Sequence, residues 1–223
     1  MNLRSIFGRR RATKAPPESL ALDQALRRQI RTSFDEASAN EEHFPSTIDP
    51  RIQHVQVILK HFGELTDKTV LDAGCGKGRF ARVLLERYPR ARITGLDISE
   101  AMLRGASPDI GRIAGTLTEL PFASCAFDFA YATESLEHAV DTVAAVDELC
   151  RVLKPGGRLV IIDKNAEHWG KLETPIWERW FDRREIERML AKHCSTVHSD
   201  FISYWEDVAP DGMFIVWTAS KQR

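Results

Sequence analysis

An α/β fold, a doubly wound and mostly parallel sheet preceded by a helical extension, is what this sequence predicts, on three observations. Short apolar runs alternate with helix-like stretches from about residue 64 onward, the order that produces strand–helix–strand crossovers. The first run, Thr69-Val70-Leu71, passes through Gly74, Gly76 and Gly78 into an amphipathic stretch carrying Phe80, Val83 and Leu84 on one face. Finally, 223 residues with 43% hydrophobic and 28% charged content suffice for one full core plus an extension.

Residues 1–18 read as a basic tail, with Arg4, Arg9, Arg10, Arg11 and Lys14 ahead of Pro16-Pro17. Leu3, Ile6 and Phe7 among those arginines suit weak contact with an anionic membrane surface; a disordered terminus is the competing reading. Residues 19–63 read as a helical cap. Leu22, Leu26, Ile30 and Phe34 make one helical stripe, and Ile52, Val55, Ile58 and Leu59 make a second beyond Pro45 and Pro50.

Residues 64–223 hold the sheet. Strands are expected at 69–72, 92–97, 112–114, 128–133, 158–163, 196–204 and 213–220. Helices are expected after Gly78, at Ser99 as N-cap with Glu100 in the first turn, over 141–153 and over 182–192. Pro155-Gly156-Gly157 is turn chemistry. The connection 164–181 packs Trp169, Trp177 and Trp180, three of the chain's five tryptophans, into one loop. It either covers an acceptor pocket with aromatic surface or forms a local mini-core.

The glycine spacing speaks about the ligand. Gly74-x-Gly76-x-Gly78 lacks the extra gap of the dinucleotide fingerprint. Asp72, just before the turn, would repel a pyrophosphate and suits a cationic ligand end. Asp97, ending the next apolar run, stands where a carboxylate takes both hydroxyls of a ribose. Together they imply a ligand with an adenosine-type ribose and a positive group.

These residues resemble the first motif of the class I S-adenosylmethionine-dependent methyltransferases. The resemblance continues through Gly95-Leu96-Asp97-Ile98-Ser99, Gly115-Thr116-Leu117-Thr118-Glu119-Leu120-Pro121-Phe122 with Phe127-Asp128-Phe129-Ala130, and Leu153-Lys154-Pro155-Gly156-Gly157. It implies a Rossmann-like seven-stranded sheet with an antiparallel last strand. It also implies S-adenosyl-L-methionine as cofactor, bound by Asp72, Gly74, Cys75, Gly76, Gly78, Phe80, Asp97, Ile98, Met102, Thr116, Leu117 and Thr133. Two departures stand out. Thr116 replaces the usual Asp near the adenine, leaving the Leu117 backbone as the contact there. The early Phe34-Asp35 lacks the tyrosine that several relatives carry, so no lid residue is named.

The reacting methyl is expected outside the ends of the first and fourth strands, beside Thr133-Glu134-Ser135-Leu136-Glu137-His138. His138 is the expected base, with Glu134 as its companion; a helix-capping role for His138 is the alternative. If the stretch is helical, Glu134, Glu137 and His138 share a face and could hold a divalent cation, with His168 as a fourth ligand. No metal is the leading expectation. Lys164, His168 and Arg179 could meet an acidic acceptor group.

A small-molecule or lipid-like acceptor, methylated on oxygen or carbon, is the expected substrate. The alternatives are RNA or protein methylation, or a non-catalytic cofactor-binding partner subunit. A formal net charge of −1 and a pI of about 6.7 exclude a global field for nucleic acid, so no stable nucleic-acid binding is expected. Scattered Cys75, Cys125, Cys150 and Cys194 read as reduced thiols of a cytoplasmic protein.

Overall fold

The computed structural model describes residues 23–205 and 207–223; the basic tail and Leu22 lie outside them. α1 (Gln24–Ala37) begins where the Asp23 carboxylate accepts from the Leu26 amide, pairing one of the donors that a helix start leaves open. α2 (Gln53–Phe62) follows, and then the sheet. Its strands are β1 (Thr69–Ala73), β2 (Arg92–Asp97), β3 (Gly111–Ala114), β4 (Phe127–Thr133), β5 (Leu153–Lys164), β6 (Cys194–Ile202) and β7 (Phe214–Lys221). Between them run α3 (Arg79–Arg87), α4 (Glu100–Arg104), α5 (Thr142–Val152) and α6 (Arg183–Leu190).

The strand order is β3-β2-β1-β4-β5-β7-β6. Neighbours are parallel except β7, which runs antiparallel to both β5 and β6. The seven-stranded doubly wound sheet with its antiparallel last strand is therefore present.

Alternation along each strand divides the core into two layers. Leu71, Ala130, Leu159 and Ile161 face α5 and α6 through Leu149 and Ile186. Val70, Phe129, Tyr131 and Val160 face α2 and α3 through Ile58, Phe62, Phe80 and Leu84. The helix α2 is thus part of the main core.

One strand departs from expectation. β5 begins at Leu153, ahead of Pro155-Gly156-Gly157, with Gly156 at φ 74°. Phe127 pairs with Leu153, and after a register shift Phe129 pairs with Arg158. The turn chemistry makes an irregularity inside the strand, because the β4 edge picks the chain up again on both sides of it.

Chain order reverses between β1 and β4, the place where an open α/β sheet leaves a crevice at its carboxyl edge.

Candidate active site

Backbone hydrogen bonds shape the glycine turn. The Gly74 and Cys75 amides both donate to the Leu96 carbonyl, at 2.7 and 2.9 Å, so the chain leaving β1 hooks over the end of β2. Gly74 has φ 76°, and a Cβ there would lie 2.3 Å from Ser135 Cβ. At Gly76, φ 53°, a Cβ would meet nothing within 4 Å. The backbone is open toward a ligand at that residue.

A cavity of about 270 Å³ opens here. Gly74, Cys75, Gly76, Phe80, Asp97 and Ile98 line it, joined by Met102, Thr116, Leu117 and Thr133. Two expected contacts do not line it. Gly78 turns instead toward Ile110, whose Cδ1 lies 2.9 Å from where a Cβ would stand, so this glycine lets α3 pack closely. Asp72 is 1% exposed within β1. A direct grip on a cationic ligand end is thus not what its position offers. Burial pushes its carboxyl up to about 7, opposed by the neighbouring Tyr131 hydroxyl.

Asp97, the last residue of β2, lines the cavity. Its Oδ2 accepts from the Gly76 amide at 2.7 Å and its Oδ1 from the Ser99 amide at 2.9 Å. Each oxygen keeps a further lone pair for a ligand hydroxyl. Burial pushes this carboxyl up to about 6, against those two amides.

The roof, unnamed in the sequence, comes from α1 and the chain after it. Ile30, Phe34, His43, Phe44 and Pro45 line the cavity, with Phe34 and Phe44 edge to face at 5.9 Å. Asp35 holds α1 in place by accepting from Ser99 Oγ at 2.6 Å and from the Ala101 amide at 3.2 Å. Lys77 and Arg79 also line the cavity, with no motif in the sequence to single them out. Lys77 donates to Glu41 at 2.6 Å and Arg79 to Glu134 at 3.2 Å.

At the far end of the cavity, the proposed helical face of Glu134, Glu137 and His138 does not form. Glu134 sits at φ 50°, before the 3-10 turn Leu136–His138. Its amide donates to the Ile162 carbonyl, and its carboxylate turns to Arg79. The carboxylate that joins Glu137 and His138 is Glu178, from the tryptophan-rich connection; these three could each offer one ligand atom, all within 4.8 Å. His168 is elsewhere, its Nδ1 2.5 Å from Lys171 Nζ. Arg179 pairs with Glu185 of α6 at 2.5 Å.

His138 lies between two acids, Nε2 3.4 Å from Glu137 and Nδ1 4.0 Å from Glu178. Burial lowers it to about 4, against the pull of Glu137, so the ring is neutral at physiological pH. Glu137 is held below the usual range, burial being outweighed by Lys164 and His138. Burial raises Glu178 to about 8, with Glu137 adding to the rise.

The tryptophan-rich segment is largely a mini-core. Trp180 is 1% exposed and Trp177 is 6% exposed, the latter packed with Ile30 and Val140. What the segment presents to the cavity is Glu173, Pro175 and Glu178. Trp180 Nε1 donates to Glu178 Oε1 at 2.7 Å, so the buried ring aims the acid. The segment thus turns acidic rather than aromatic surface to the cavity.

The donor set fits S-adenosylmethionine: an open backbone at Gly76, a carboxylate with spare acceptor sites at Asp97, and an apolar wall at Ile98, Met102 and Leu117. The comparisons agree. Residues 71–161 match the family model of a methyltransferase domain. The O-methyltransferase cnsE of Penicillium expansum is 39% identical over 108 residues, 44% of this chain and 39% of that protein. The ubiquinone/menaquinone biosynthesis C-methyltransferase UbiE of Syntrophotalea carbinolica is 36% identical over 101 residues, 42% of this chain and 43% of that one. Among solved structures, a chain of the complex between the Haloferax volcanii Trm112 methyltransferase activator and a methyltransferase superposes with TM-score 0.71. It is 20% identical, covering 87% of this chain and 98% of that one. In sequence over residues 71–161, and in fold over most of its length, the chain is similar to the class I S-adenosylmethionine-dependent methyltransferases. Its matched region spans between 32% and 65% of the length of the curated relatives.

Proposed function

We propose that this protein transfers a methyl group from S-adenosylmethionine to an oxygen or carbon of a small-molecule or lipid-like acceptor. The observation that carries this reading is one cavity running from the glycine turn and Asp97 to Glu134, His138 and Glu178. The O-methylation and C-methylation named for the relatives support the same atoms. An acceptor of modest size is favoured because α1 and the 164–181 segment close over the far end, with Ile30, Phe34 and Phe44 offering apolar surface.

The residues divide the work. Asp97 receives the ribose hydroxyls, Gly76 leaves room for the tail, and Thr116 and Leu117 border the adenine. Bound S-adenosylmethionine supplies an activated methyl on a sulfonium, so the chain's contribution is position, exclusion of water and removal of a proton. His138 is the proton acceptor in this reading. Burial makes it a weak base but keeps it unprotonated near neutral pH, and Glu137, 3.4 Å from Nε2, stabilises the imidazolium once formed.

Tritium-labelled methyl donor incubated with cell extract tests the reading. Label should enter a product of low molecular mass that survives RNase and protease. Label in RNA or protein would replace the acceptor class, and no transfer at all, with S-adenosylhomocysteine still bound, would leave a cofactor-binding subunit. His138→Ala should lower turnover roughly 100-fold or more, the usual scale of general base catalysis, while cofactor affinity is kept.

A further inference from the structure

The acceptor end contains a largely enclosed cation that the methyl-transfer reading does not use. Lys164, the last residue of β5, has a side chain 13% exposed. Its Nζ lies 2.5 Å from Glu137 Oε1 and 3.4 Å from Glu178 Oε1. Those acids come from separate segments, the turn after β4 and the tryptophan-rich connection. With His138 they are the group whose ligand atoms gather within 4.8 Å. The same Glu137 oxygen that Lys164 holds also faces His138 Nε2 at 3.4 Å.

We propose that the Lys164 ammonium is the resident cation of the acceptor end. It bridges Glu137 and Glu178, fastens the tryptophan-anchored segment to the wall carrying His138, and takes the place a divalent ion would otherwise fill. A buried carboxylate such as Glu137 needs a counter-charge, and a second buried acid beside it needs a donor. Here β5 supplies the counter-charge covalently, in register, at the strand end that already faces the cavity. Trp180 completes the arrangement by donating to Glu178 Oε1 at 2.7 Å. The amide of Arg179 donates to the Glu137 carbonyl at 2.9 Å, which ties the same two segments through the backbone. Lys164 is thus a positioning residue, acting through the two glutamates on the imidazole.

The proposal rests on reading this end as the acceptor site, and its test needs no acceptor. Wild-type protein, Lys164→Ala and Lys164→Arg are titrated with Mn²⁺, bound ion being read by electron paramagnetic resonance. Removing the ammonium should open a metal site: Lys164→Ala binds Mn²⁺ at a concentration at least about tenfold below any at which wild type shows bound ion, and added Mn²⁺ recovers part of its lost thermal stability. Lys164→Arg, which keeps the charge, behaves as wild type. Mn²⁺ binding at this site in wild type, or a folded Lys164→Ala that gains none, would overturn the proposal. Should Lys164→Ala not fold, Lys164→Gln, which still offers a donor, takes its place with the same expected gain. A parallel titration with S-adenosylhomocysteine keeps the two readings apart: lost cofactor binding in wild type sinks the methyltransferase reading, while the Mn²⁺ result stands by itself.

Discussion

The Gly76 amide donates to Asp97 Oδ2 at 2.7 Å, so a single carboxylate both pins the glycine turn and faces the cavity. Asp97→Ala therefore removes a ligand acceptor and the turn's anchor together. A hydrogen bond to a charged group is worth about 1.5–3 kcal/mol, so S-adenosylhomocysteine should bind roughly 10- to 100-fold more weakly. Asp97→Asn, which keeps one acceptor oxygen, should lose less. Calorimetric titration decides it; undiminished affinity in Asp97→Ala would put the ribose elsewhere.

Acidification should weaken cofactor binding. Ribose hydroxyls donating to Asp97 favour its charged form, whereas burial in the free protein has pushed the group up to about 6. Binding below that pH must expel a proton, so affinity is level above about pH 6 and falls about tenfold per unit below it. Stability of the free protein runs the other way. Both raised carboxyls contribute stability that is complete below the unfolded value of 3.8 and lost as pH rises through about 7 for Asp72 and about 6 for Asp97. Asp97→Asn should flatten the binding profile, measured in buffers of differing ionisation enthalpy.

Two glycines of one turn should fail in different ways. Gly76→Ala places a methyl in open space, at a left-handed φ that costs about 1–2 kcal/mol. It should fold and lose cofactor affinity. Gly74→Ala drives its methyl to within 2.3 Å of Ser135 Cβ and should lose more stability than Gly76→Ala, since backbone around two strand ends must move. Thermal melts paired with S-adenosylhomocysteine titration separate the two; equal melting temperatures would refute the distinction.

His54→Phe should stabilise the protein. The His54 ring is fully buried among Phe80, Tyr204 and Phe214, and neither nitrogen has a hydrogen-bond partner among the described residues. Burial lowers it to about 4, so it is neutral and gains little from Glu134, 3.8 Å away. Removing an unsatisfied buried polar group recovers about 1–3 kcal/mol, visible as a higher urea midpoint with unchanged slope. A lower midpoint would mean that the imidazole has a partner in solution.

The parts legible in the sequence were those written in short-range pattern. Thr69-Val70-Leu71 before glycines, the Ser99-Glu100 helix start and the acid at the end of 92–97 each declare themselves within a few residues. The Ser99 side chain does accept from the Met102 amide, and Asp97 does line the cavity. Where reading by neighbours misled, geometry intervened. Glu134, three residues before Glu137, leaves the strand at a positive φ and never shares its face. Asp72, beside the turn in sequence, ends buried with Tyr131.

By itself, then, the sequence determined the sheet, the glycine turn and the identity of the acid at its flank, because strand alternation and turn chemistry are local. Only the tertiary structure decided which charges meet at the far end of the cavity. Glu178 is 41 residues from Glu137 in the numbering, and nothing local announces that a Trp180 indole will aim it at Lys164 and His138. Partners across the carboxyl edge are chosen by strand order and by the packing of the mini-core that carries them, and neither can be read from spacing along the chain.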